Sequence, residues 1–168
     1  SREKYKDVND VGKKTAGVII AAFTNDGEEE KILLVREFRM GVNEYVYAFP
    51  AGLSDADETV EQTAARELKE ETGIVFGEND TARVINPLLF STPGMTDESN
   101  ALVLLSINRN TLPDLSTSGA VGSECFDGFS LLTKEDALRI LQQGTDDNGI
   151  FYSIYTWASL MHFVTMPF

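Results

Sequence analysis

One cysteine and one histidine are all that this 168-residue chain contains. Cys125 by itself can form no intrachain disulfide, so the fold must rest on its core, and a reducing compartment is compatible with it. His162 by itself rules out any site that needs two histidine ligands from one chain. It lies in an apolar stretch near the C-terminus, where packing is the simpler role. A Cys125 and His162 nucleophilic pair is conceivable chemically, but a lone free cysteine is ordinarily a small buried hydrophobe. No G-x-S-x-G, Walker A or G-x-G-x-x-G spacing occurs anywhere, which removes the corresponding nucleophile-elbow, P-loop and dinucleotide-binding chemistries.

Basic residues are also scarce, 14 against 27 acidic ones, for a formal charge of −13. Binding to a phosphate backbone rests on clustered Lys and Arg, so a nucleic-acid partner is not expected. No apolar run approaches a membrane span of about 20 residues, and the first residues lack a signal-peptide pattern. The expectation is a cytoplasmic protein with no membrane partner. Hydrophobic content of 42% and charged content of 24% are ordinary for a globular domain. The length fits one domain over residues 15–168 after a short segment, residues 1–14.

Local patterns give the order of elements. Residues 15–23 and 31–38 are β-prone runs joined by Asn25-Asp26-Gly27, a hairpin signal. Residues 45–49 form a short strand stopped by Pro50. A helix is expected to start near residues 57–59, with Thr59 and Gln62 as a capping box, Val60, Ala64 and Leu68 as its apolar stripe and Gly73 as its end. Strands follow over 82–90 and 101–107, flanking a loop. Residues 108–122 read as a long mobile loop, of the kind that is often functional in a compact domain. A strand over 126–132, a helix from the Thr133 cap to Gln143 closed by Gly144, and a terminal helix over 150–164 complete the chain. In that last helix Ile154, Trp157, Met161 and Val164 are the expected core face. Strands, a helix, strands and then helices make an α/β or α+β arrangement.

The most informative passage is Gly52, five residues, Glu58, seven residues, then Arg66-Glu67-Leu68-Lys69-Glu70-Glu71-Thr72-Gly73-Ile74. Glu58, Glu61, Glu67, Glu70 and Glu71 crowd a single helical segment, and Glu67, Glu70 and Glu71 are neighbours at i, i+3 and i+4, where like charges repel. Glu70 and Glu71 also fall in the last turn, where the helix dipole disfavours carboxylates. Such an arrangement calls for a cation over that face, and clustered oxygen ligands select Mg²⁺ or Mn²⁺ over softer metals. Glu58 has two readings, a dipole-favoured structural carboxylate near the helix start or a catalytic one. Glu61 reads as a solvated surface residue.

These nine specified positions match the signature of the Nudix hydrolases, and the chain resembles that family over nearly all its length after about Lys14. The resemblance implies an α/β/α sandwich with a mixed β-sheet and a metal-dependent pyrophosphohydrolase. Glu67 and Glu71 become the principal metal ligands, Glu70 a third, and the backbone carbonyl of Ala51 a further donor, with Arg66 orienting the glutamates. Val35-Arg36-Glu37-Phe38-Arg39, Phe49-Pro50-Ala51-Gly52 and the segment from Ser91 to Glu98 resemble the ADP-ribose pyrophosphatase branch. That branch implies a nucleoside diphosphate-sugar substrate, ADP-ribose first, cleaved to AMP and ribose 5-phosphate by a homodimer. Arg36 and Arg39 are then substrate-binding candidates, since a guanidinium can meet a phosphate with two hydrogen bonds, although both could be the solvent side of an alternating strand. Glu98 joins them, and Tyr45 or Tyr47 is a candidate base-stacking ring. Glu124, after a glycine- and serine-rich stretch, is the general-base candidate, with Asp127, Asp97 and Glu98 in comparable loops. The catalytic set is thus Glu124, Glu70 and Arg66.

Two features depart from that branch. Only about fourteen residues precede the first core strand, where many relatives carry an extension that builds the dimer and base pocket. Ala48 stands where many have a glutamate. The alternatives are another nucleotide sugar or a dinucleotide as substrate, or a non-catalytic nucleotide-binding sensor module.

Overall fold

The structure, a computed structural model, describes residues 17–25, 29–55, 57–109, 115–116, 126–147, 149 and 152–166, with side chains described outside 17–25 and 126–127. Its elements in chain order are β1 (Gly17–Asn25), β2 (Glu30–Arg39), β3 (Glu44–Ala48), β4 (Ala51–Gly52), α1 (Val60–Thr72), β5 (Thr81–Phe90), β6 (Ser99–Asn108), β7 (Phe126–Thr133), α2 (Lys134–Gln143) and α3 (Ile154–Thr165). Every expected strand and helix has a counterpart here, displaced by a few residues at some ends. The two-residue β4 had no sequence signal. Most of the expected loop over 108–122, the turn after Asn25, Cys125 and Glu124 lie outside the described residues.

The sheet is mixed. β1 runs parallel to β6 along its whole length, and β1–β2, β2–β3, β2–β7 and β5–β6 are antiparallel. β1 gives one edge to β6, so its other edge is shared: Ala22 to Asn25 pair with β2, while Val18 and Ile19 pair with Gly52 and Ala51 of β4. β2 is shared likewise, its first half with β1 and its second half with β3. The two central strands therefore diverge, and the β3–Pro50–β4 segment fills the opening. That split sets the backbone of Ala51 and Gly52 beside α1.

Central strands covered on both faces should carry continuous apolar runs, and β2 does over residues 32–35 and β6 over residues 101–105. Ile32, Leu34, Leu102 and Leu104 pack with Ala137 and Ile140 of α2 and with Leu160 and Phe163 of α3. The alternate residues Leu33, Ala101, Val103 and Leu105 pack with Ala64 and Leu68 of α1. One helix on one face and two on the other make the three-layer α/β/α sandwich.

Helix ends follow their local chemistry. Thr59 and Gln62 form the capping box, and Gly73, at φ 77°, closes α1 in the left-handed conformation. Thr133 with Asp136 and then Gly144 do the same for α2. For α3 the expectation needs correction. It starts at Ile154 after the cap Ser153, and its buried residues are Thr156, Ser159, Leu160 and Phe163. Ile154 is 59% and Met161 46% exposed, while Trp157 and Val164 pack at the margin of the core. The helix is apolar on nearly every side, so periodicity could not choose the face. A tertiary bond from the Thr156 hydroxyl to the Tyr47 carbonyl at 3.2 Å contributes to the orientation seen.

Candidate active site

α1 buries one glutamate face. Glu67 and Glu71 retain only 7% and 3% of their surface, although they lie on a helix whose neighbouring turns are charged. Both turn toward β4. The Ala51 backbone N–H donates to Glu71 Oε1 at 3.4 Å. Gly52 is pressed against Glu67, and a Cβ at residue 52 would overlap the Glu67 carboxylate. Only glycine leaves room for this approach.

Arg66 ties the acidic residues together. Its Nε donates to Glu58 Oε1 at 2.9 Å and its Nη2 to Glu58 Oε2 at 3.0 Å, while Nη1 reaches Glu67 at 2.6 Å and Glu70 at 3.3 Å. Nη2 also donates to the Leu53 carbonyl at 3.0 Å, closing the loop between β4 and α1. Glu58 further accepts from the Thr63 hydroxyl and the Asp55 N–H. The Arg66 guanidinium, with these smaller contributions, holds the Glu58 carboxyl at about 2, against the upward push of burial. Glu58 in turn raises Arg66. Glu61, expected at the surface, is partly buried.

The motif opens into a cleft of about 1410 Å³, whose walls include Gly52, Arg66, Glu67 and Glu70. Arg36, Arg39, Tyr45 and Glu98 reach the same cleft. Arg36 and Arg39 are three apart, which would put them on opposite faces of an ideal strand. β2 is not ideal there, since its register with β7 shifts between Val35 and Glu37. The Arg36 guanidinium lies 4.9 Å above the Tyr45 ring, and Arg39 pairs with Glu37 at 2.7 Å. Glu98 accepts from the Ser91 hydroxyl at 3.0 Å. Glu71, Tyr47 and Asp97 are not among the cleft's lining residues. Glu124 and the side chain of Asp127 lie outside the described residues.

Sequence reasoning missed one wall. Gly149, Tyr152, Tyr155 and Thr156, around the start of α3, line the cleft. Asn148-Gly149 followed by the cap Ser153 was the available signal: it marks a turn and a helix start where a continuous helix from residue 150 was expected.

The donor set suits a hard divalent cation. Two buried carboxylates, a third partly exposed one and the half-buried backbone of β4 are oxygen donors, without a thiolate or imidazole among the described residues lining the cleft. The space that a Cβ at Gly52 would fill is occupied by the Glu67 carboxylate. Among the described residues no three acid side chains converge closely enough to chelate an ion. Glu67 and Glu70 each give one carboxylate oxygen to Arg66, and each carboxylate has a second oxygen with which to meet a cation.

Residues 13–116 match the family model of the NUDIX domain. A putative nudix hydrolase 2 of Caenorhabditis elegans is 29% identical over 96% of this chain and 72% of its own length. The ADP-ribose pyrophosphatase of Saccharomyces cerevisiae is 31% identical over 76% of this chain, which spans 55% of that relative. Among solved structures, the Ap4A hydrolase of C. elegans superposes with a TM-score of 0.58 at 19% identity, covering 89% of this chain and 94% of that one. That likeness is one of fold. Among the described residues no helix is long and apolar enough to cross a membrane.

Proposed function

Because the chain belongs to the NUDIX domain family, we propose that it hydrolyses the pyrophosphate bond of a nucleoside diphosphate-sugar, ADP-ribose foremost, giving AMP and ribose 5-phosphate. The observation that carries this reading is the pair of buried carboxylates, Glu67 and Glu71, set against the β4 backbone beside a cleft that also holds Arg36 and Arg39. The yeast relative, named for ADP-ribose hydrolysis, supports the substrate.

In the reaction a water oxygen bonds to one phosphorus, the bridging P–O bond breaks, and the water proton passes to a base. Glu67, Glu71 and Glu70, with the Ala51 carbonyl, would hold Mg²⁺, or Mn²⁺ in its place. Bound cations supply charge neutralisation of the diphosphate and acidify water. Arg66 positions Glu67 and Glu70 and ties them to Glu58. Arg36 and Arg39 bind the diphosphate, Tyr45 and Glu98 border the sugar and base, and Glu124 is the proposed base. A homodimer in the cytoplasm belongs to the same reading.

The cleft exceeds the ~300–1,000 Å³ of an ordinary small-molecule site, which favours a longer dinucleotide as the second reading. The test is hydrolysis with Mg²⁺ in heavy-oxygen water across nucleotide sugars, dinucleotides and nucleoside triphosphates, with products identified by mass. Release of labelled AMP or labelled ribose 5-phosphate from ADP-ribose is expected. Tight nucleotide binding without turnover of any of them would replace the enzyme by a sensor module.

A further inference from the structure

The part of the cleft lined from the start of α3 differs chemically from the part lined from α1. Gly149, Tyr152, Ser153, Ile154, Tyr155 and Thr156 line it, and none carries a charge. Its two rings, Tyr152 and Tyr155, suit a flat heterocycle.

Tyr152 is the organised part of that wall. Its backbone bridges Tyr47 of β3, and the two rings stack at 5.9 Å with an interplanar angle of 18°. The Trp157 ring lies 6.5 Å away, tilted by 53°. Thr156 ties the same turn to the Tyr47 carbonyl. A ring braced in this way is ordered before any ligand arrives, so stacking on it costs little conformational entropy. It is half-buried and still borders the cleft. Burial, with Asp146 and Tyr47 nearby, raises its phenol, so the wall stays neutral. Tyr45, another ring at the cleft, already has Arg36 over its face.

We propose that Tyr152 is a specificity-determining residue, the surface on which the purine of the substrate packs while its diphosphate lies toward Arg36 and the α1 carboxylates. This rests on the nucleotide-substrate reading above.

Trp157 is the chain's only tryptophan, so its emission reports on this wall without metal or turnover. AMP should change Trp157 emission in the wild-type protein, and ribose 5-phosphate, which lacks the base, should not. Tyr152→Leu should raise KM for ADP-ribose and Ki for AMP about tenfold, the scale of one lost base–aromatic stack. It should leave kcat within about twofold and Ki for ribose 5-phosphate unchanged, and Tyr152→Phe should restore wild-type values. Equal responses of Trp157 to the two products, or equal shifts of both inhibition constants in Tyr152→Leu, would overturn the proposal. If Tyr152→Leu fails to fold, the wild-type titration decides alone. Absence of ADP-ribose hydrolysis in the wild type would sink the substrate reading instead, and the AMP titration would still judge the wall.

Discussion

Arg66 holds Glu58 by two parallel hydrogen bonds, 2.9 Å and 3.0 Å, from eight residues further along the chain. The same guanidinium donates to Glu67. One side chain thus joins the loop that starts the helix to a buried carboxylate. Of the two readings of Glu58, this geometry supplies a physical basis for the structural one.

Replacing Glu58 by Gln should lower stability at neutral pH and flatten its acid dependence. The Glu58 carboxyl sits near 2 in the folded protein against an ordinary 4.5. A depressed carboxyl contributes stability that is complete above its unfolded pKa and is lost as pH falls from about 4.5 through 2. Urea midpoints of the wild type and Glu58→Gln, without divalent cations, should converge across that window. A constant gap from pH 7 to pH 2 would contradict the pairing.

Gly52→Ala should reduce activity about 100-fold or more, because a Cβ there overlaps the Glu67 carboxylate and displacement of a reacting group by about 1 Å can cost that much. Thermal unfolding should show a folded protein whose stabilisation by Mg²⁺ is weakened. Wild-type kcat in this variant would mean that Glu67 tolerates displacement.

Glu71→Gln removes a buried charge and should fold normally. Weaker hold on the cation that neutralises the reacting phosphate is expected to cost about 10² to 10³ in kcat. Chelation of divalent cations should abolish wild-type hydrolysis, and Mg²⁺ should restore it. The decisive readout is calorimetric titration with Mn²⁺: unchanged affinity in Glu71→Gln would remove this residue from the metal site.

His162 should make the protein less stable in mild acid. Burial, aided by the positive charge of Arg83, lowers its pKa below the ordinary 6.5. The folded state therefore prefers the neutral ring, so the stability it contributes is complete above about 6.5 and is lost as pH falls through the lower folded value. Between pH 7 and pH 5 the denaturation midpoint of the wild type should fall more than that of His162→Gln. Parallel curves would place the acid sensitivity elsewhere.

Much of the fold was legible because its signals are local. Thr59 with Gln62, Thr133 with Asp136, and the glycines at 73 and 144 mark helix ends through bonds a few residues long. The apolar runs of β2 and β6 announce strands covered on both faces. The buried face of α3 was not legible, since a helix apolar all round carries no phase. Neither was β4, whose two residues are a strand only because β1 and β2 diverge beside them.

From the sequence alone come the order of elements and the spacing that sets Arg66, Glu67, Glu70 and Glu71 on neighbouring turns of one helix. Helical geometry converts spacing into proximity without reference to the rest of the chain. Only the tertiary structure decided that Gly52 would lie against Glu67, that Arg36 and Arg39 would share one cleft, and that Tyr152 would line it too. Those neighbours meet through strand pairing and long-range bonds, such as the one from Thr156 to Tyr47 across 109 residues, and no local periodicity encodes a partner so distant.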